Sequence, residues 1–86
     1  MMMESVFQNL VEGWDKAMEM DSAMSKAGYK MNPYFEIAAC IAEAIYHMID
    51  TEINYENSIT CNVLHSDSMS LEERAYALAE AYNKRR

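Results

Sequence analysis

From Asn32 to Asp50 the chain reads NPYFEIAACIAEAIYHMID, and this is its most continuously apolar stretch. Placed on a helix at 100° per residue, Ile37, Ala38, Ile41, Ala42, Ala44, Ile45, Met48 and Ile49 cover well over half the circumference. Glu36, Glu43, His47 and Asp50 fall on one narrow polar stripe. Asn32 before Pro33 marks a helix start, because Asn caps free amides and Pro at the first helical position gives up no hydrogen bond. Glu52 would point into the apolar side, so the pattern predicts a helix over about 33–50. A helix this apolar needs at least two neighbours, or a second chain, to cover it.

Two further helices flank it. Val6, Phe7, Leu10, Val11, Trp14, Ala17, Met18 and Met24 share one face and predict a helix over about 4–27, with Gly28 as a left-handed cap. Asp21 sits in the middle of that face and contradicts it locally; a continuous helix is the preferred reading. Trp14 lies centrally on the stripe, where core packing is the expected role. Near the end of the chain, Ser70 and Glu73 have the spacing of a capping box, followed by Leu71, Ala75, Leu78, Ala79 and Tyr82 on a narrow stripe. That predicts a helix over about 70–84. Between the second and third helices, residues 52–69 mix β-branched residues with Asn and Ser, which favour turns and caps. This segment is expected to be irregular or briefly helical. The short connection at 29–31 makes the first two helices antiparallel neighbours. The whole reads as an all-α small bundle in a single domain, 1–86.

Composition adds little to that picture, but charge changes it. Two Gly and one Pro leave few turn signals, which again favours helices. Met is abundant at nine and fills irregular gaps in cores or makes adaptable contact surfaces. The net charge is −7, which argues against binding nucleic acid through phosphate contacts. Residues 31–73 carry Glu36, Glu43, Asp50, Glu52, Glu56, Asp67, Glu72 and Glu73 and no Lys or Arg. Lys84, Arg85 and Arg86, with Arg74 before them, form a basic tail that complements the dipole of the last helix. Met1 to Met3 run straight into Glu4 with no basic or long apolar region, so no secretory leader and no membrane association are expected. A cytoplasmic protein with Cys40 and Cys61 reduced follows from that reading.

Candidate chemistry concentrates on the polar stripe. Glu43 with His47, and His47 with Asp50, are helical neighbours, and Cys61 with His65 has four-residue spacing. Two Cys and two His invite a zinc reading, but Cys40 and His47 lie about 10.5 Å apart along a helix axis. The paired short spacings of zinc modules are also missing. No metal, cofactor or catalytic residue is therefore assigned, and the protein is expected not to be an enzyme.

The leading expectation is an interaction protein: an acidic helical inhibitor or modulator of a partner with a basic surface, such as a nucleic-acid-handling protein. In size and charge the chain is similar to small acidic inhibitors that phages make against nucleic-acid-cutting defence systems, an analogy without a shared motif. Glu36, Glu43, His47, Asp50, Glu52 and Glu56 are the candidate partner-binding residues. A homo-oligomeric structural or regulatory subunit is the alternative, with a two-fold dimer supplying cover for the central helix. A metal-binding domain ranks behind both.

Overall fold

The computed structural model describes residues 3–50 and 57–85. Among them are four helices: α1 (Glu4–Lys26), α2 (Pro33–Ile49), α3 (Ile59–Leu64) and α4 (Leu71–Arg85). The architecture is the expected all-α small bundle, and the connection before the last helix contains one brief helical turn, α3. No helix among the described residues is long and apolar enough to cross a membrane.

Local chemistry sets most helix ends. Asn32 Oδ1 accepts from the amides of Tyr34 (3.0 Å) and Phe35 (3.2 Å), so the cap and Pro33 start α2 together. At the end of α1, Gly28 takes φ +97°. Its amide donates to Ser25 O, while the Tyr29 amide reaches back to Met24 O, the paired bonds of a Schellman turn. Ser70 and Glu73 close the capping box reciprocally, Ser70 N donating to Glu73 Oε1 (2.8 Å) and Glu73 N to Ser70 Oγ (3.1 Å).

Asp21, the residue that interrupts the apolar face of α1, does not break the helix. Its Oδ1 accepts from Asn32 Nδ2 at 2.8 Å. The misplaced carboxylate thus holds the residue that caps α2 and fixes the corner between the two helices.

The core runs along α1. Phe7, Val11, Trp14 and Ala17 of α1 are buried with Ala38, Ala42, Ile45 and Ile49 of α2, Leu64 of α3, and Ala75, Leu78 and Ala79 of α4. Complete burial of each large apolar side chain among these contributes about 1.5–3 kcal/mol. α1 packs along both α2 and α4, which touch one another only slightly. Both neighbours run antiparallel to it, as the pairs Gly13 with Ile41 and Asp21 with Asn32 show on one side, and Phe7 with Tyr82 and Asp15 with Arg74 on the other. The central position therefore belongs to α1. α2 is less enclosed than its sequence suggests, since Phe35 and Ile37 are 58% and 46% exposed.

Arg74 is also placed differently from the sequence reading. It does not belong to a solvated basic tail: it is 8% exposed and clamps Asp15 of α1, Nη1 to Oδ1 at 2.8 Å and Nη2 to Oδ2 at 2.6 Å. Nη1 also reaches Leu64 O at 3.3 Å, tying in the end of α3. Hydrogen bonding to Asp15 holds the guanidinium above its ordinary pKa range although burial pulls the other way. Its Nε is buried without a hydrogen-bond partner among the described residues.

The pair makes an asymmetric prediction. Asp15→Ala strands a buried guanidinium and is expected to lower stability by about 3 kcal/mol, whereas Arg74→Met strands only a partly exposed carboxylate and lowers it by about 1–2 kcal/mol. Urea unfolding of the two variants beside the parent checks both the sizes and their order.

Candidate interaction surface

The polar stripe of α2 divides in two. Glu36, Glu43 and His47 are exposed, as their spacing on one helix face requires. Glu43 Oε1 lies 3.8 Å from His47 Nε2, with both side chains at least 70% exposed, a loose surface pair that is ionic only when the imidazole is protonated. Asp50 departs from the stripe. It is the C-cap of α2, its backbone is extended, and it is 7% exposed. Its carboxylate accepts from the amides of Ile59 (2.6 Å) and Thr60 (3.1 Å) and from the Thr60 hydroxyl. Asp50 therefore caps α3 together with Ser58, whose hydroxyl accepts from Cys61 N at 3.0 Å. It is a structural residue and presents no free carboxylate to a partner. Glu52 and Glu56 lie outside the described residues.

The far end of the stripe is bounded by a cation. Arg85 of α4 donates from Nη1 to His47 O at 3.1 Å. The run without Lys or Arg is thus unbroken in sequence but not in space, and the exposed negative part of the helix narrows to the interval from Glu36 to Glu43.

Apolar surface borders that interval on both sides. Ile37, Cys40 and Ala44 are exposed along one flank. On the other, Phe35 and Ala39 are exposed and lead into a pocket of about 200 Å³, walled by Trp14 and Met18 of α1, Phe35, Ala38, Ala39 and Ala42 of α2, and His65 just after α3. The small side chains of three alanines leave the space, and the large ones of Trp14 and Met18 line it. The Trp14 and His65 rings pack in a T-shaped arrangement at a centroid distance of 5.0 Å, which fixes that wall. Trp14 takes the core position its place on the stripe predicts, and it is 7% exposed. The pocket itself is not legible in the sequence, because it is assembled from three elements. The cluster Ala38, Ala39 and Ala42 on an otherwise bulky helix was its one signal.

The metal-ligating residue types do not converge. Cys40 is exposed and Cys61 half-buried, both as free thiols, and no group of three His, Cys, Asp or Glu among the described residues is placed to share an ion.

Compared with known protein families, with curated proteins and with solved structures, the chain shows no match. What the surface can do chemically therefore rests on its own geometry: two exposed carboxylates on a rigid helix, with apolar surface at either side.

Asp50→Ala removes the acceptor of three hydrogen bonds at a helix start and should cost about 2–3 kcal/mol. Glu43→Ala, on the exposed part of the stripe, should change stability by less than about 0.5 kcal/mol. Thermal and urea unfolding of both variants separate a structural carboxylate from a surface one.

Proposed function

We propose that this protein is a non-enzymatic interaction module that binds a partner with a basic surface and inhibits or modulates it. The observation that carries the reading is the exposed pair Glu36 and Glu43 on α2, flanked by exposed apolar side chains, on a helix that bears no Lys or Arg. Charge alone would serve solubility. Carboxylates interleaved with exposed apolar surface also provide what a protein interface uses, an apolar centre with a polar rim.

Two details set Glu36 and Glu43 apart from several of the other acids. Asp15, Asp21 and Asp50 spend their carboxylates on internal bonds, so they are not offered outward. Glu12 and Glu80 are each within 3.9 Å of a lysine on their own helix. Glu36 has no ion pair among the described residues, and Glu43, like Glu12 and Glu80, has only a loose contact on its own helix, with His47 at 3.8 Å. A basic surface on a partner, such as a channel that ordinarily holds nucleic acid, would be drawn by the net charge of −7 and could pair with these groups.

A second reading has an observation of its own. The flank formed by Ile37, Cys40 and Ala44 is the kind of surface two copies of a chain bury in a two-fold dimer. Sedimentation at low concentration distinguishes a stable dimer from a monomer.

For the leading reading, the tagged protein is used to capture partners from a lysate at low and rising salt. The expected result is a basic protein whose retention falls steeply with salt. The doubly reversed variant Glu36→Lys/Glu43→Lys should retain it about tenfold less well. A partner that is indifferent to salt and to the reversal would refute charge-led binding.

A further inference from the structure

We infer that the acidic face of α2 recognises a basic segment of its partner through one apolar anchor side chain, received in the pocket beside Ala39. This rests on the reading of that face as a partner-binding surface and specifies what the partner must present.

Three observations converge on the anchor. The first is size. At about 200 Å³ the pocket is somewhat larger than an apolar cavity of about 150 Å³ that takes up benzene, so it suits one aromatic ring or one branched aliphatic side chain. The second is its lining. Trp14, Met18, Phe35, Ala38, Ala39 and Ala42 present apolar groups, and the His65 ring stands perpendicular to the indole. A polar group entering this space would lose its water and gain little in return. A rigid aromatic wall and a pocket for one side chain are the usual surroundings of an energetically dominant interface residue.

The third observation is the position of the charges. Ala39, on the exposed rim, follows Glu36 by three residues and precedes Glu43 by four, so both carboxylates neighbour it on the helix surface. They bracket the opening with a separation of about 10.5 Å along the axis. A helical partner segment with a basic residue three or four positions to either side of an apolar anchor matches that spacing. A second copy of this chain matches it poorly, since two acidic faces would be brought together.

The test uses the intact protein and a synthetic helical peptide in which one Phe has a Lys three residues before it and another four residues after. Trp14 is the single tryptophan of the chain and lines the pocket, so its emission reports occupancy directly. The expected result is a saturable change in emission, with affinity reduced about tenfold or more when the peptide Phe becomes Ala. Ala39→Leu, which fills the rim from an exposed position, should weaken binding to a similar degree. Ala44→Leu, the same change on the opposite flank of α2, should leave it within about twofold. Phe35→Ala removes one wall at an exposed site and should also weaken binding, which guards against reading the Leu variant as a folding defect; circular dichroism monitors the fold of all three.

Equal binding of the Phe and Ala peptides, or insensitivity to both Ala39→Leu and Phe35→Ala, overturns the anchor. If charge reversal at Glu36 and Glu43 still abolishes binding in that case, the acidic-face reading survives without it. No binding of the Phe peptide also overturns the anchor, and capture from lysate then judges the acidic face independently. A dimer that Ala39→Leu dissociates would make a second copy the occupant and would equally overturn the proposal.

Discussion

The bundle depends on burying the apolar stripe of α1. That helix supplies Phe7, Val11, Trp14 and Ala17 to the core, and the other helices are arranged to cover them: α2 along one side, α4 along the other, and Leu64 of α3 between. Because α2 and α4 scarcely meet, neither can compensate for loss of contact with α1. The polar bonds between elements serve the same end. Asp15 reaches Arg74 across the α1–α4 seam, Asp21 reaches Asn32 at the α1–α2 corner, and Asp50 reaches the start of α3. Each fixes the angle at which a covering element leaves or meets its neighbour.

How far these arrangements are legible in the sequence depends on the distance over which a residue acts. Asn32 with Pro33, Gly28, and Ser70 with Glu73 act within a single helical turn, and their roles follow from spacing alone. Periodicity also locates α1, α2 and α4. Asp21, Asp50 and Arg74 act on residues 11, 10 and 59 positions away, so their purpose is invisible until the chain is folded. Their presence was visible all the same. Asp21 is a charged residue on an apolar face, and Asp50 ends an apolar helix. Arg74 was hidden differently, among cations that a helix dipole already explained.

The candidate surface divides along the same line. Exposure of Glu36, Glu43 and His47 follows from the helical repeat, whereas the pocket needs α1, α2 and the turn after α3 to be brought together. The central role expected of α2 reflects a limit of periodicity, which ranks helices by how apolar they are and not by how much of them is covered. Much of that apolar surface consists of alanines, and the exposed ones, Ala39 and Ala44, need no covering neighbour. The larger exposed groups, Phe35 and Ile37, lie to either side of the acidic interval and give it its mixed character.

The pairing of α1 with α4 has a consequence for synthesis. Phe7 meets Tyr82, and Asp15 meets Arg74, so the side of α1 that faces α4 has no partner until α4 has left the ribosome. A nascent chain can close the α1–α2 hairpin early, since only a short turn separates those helices. It then carries an uncovered apolar strip until α4 is released and docks. Until then the chain can associate through that strip, so folding competes with aggregation without any contact of the finished fold being at fault.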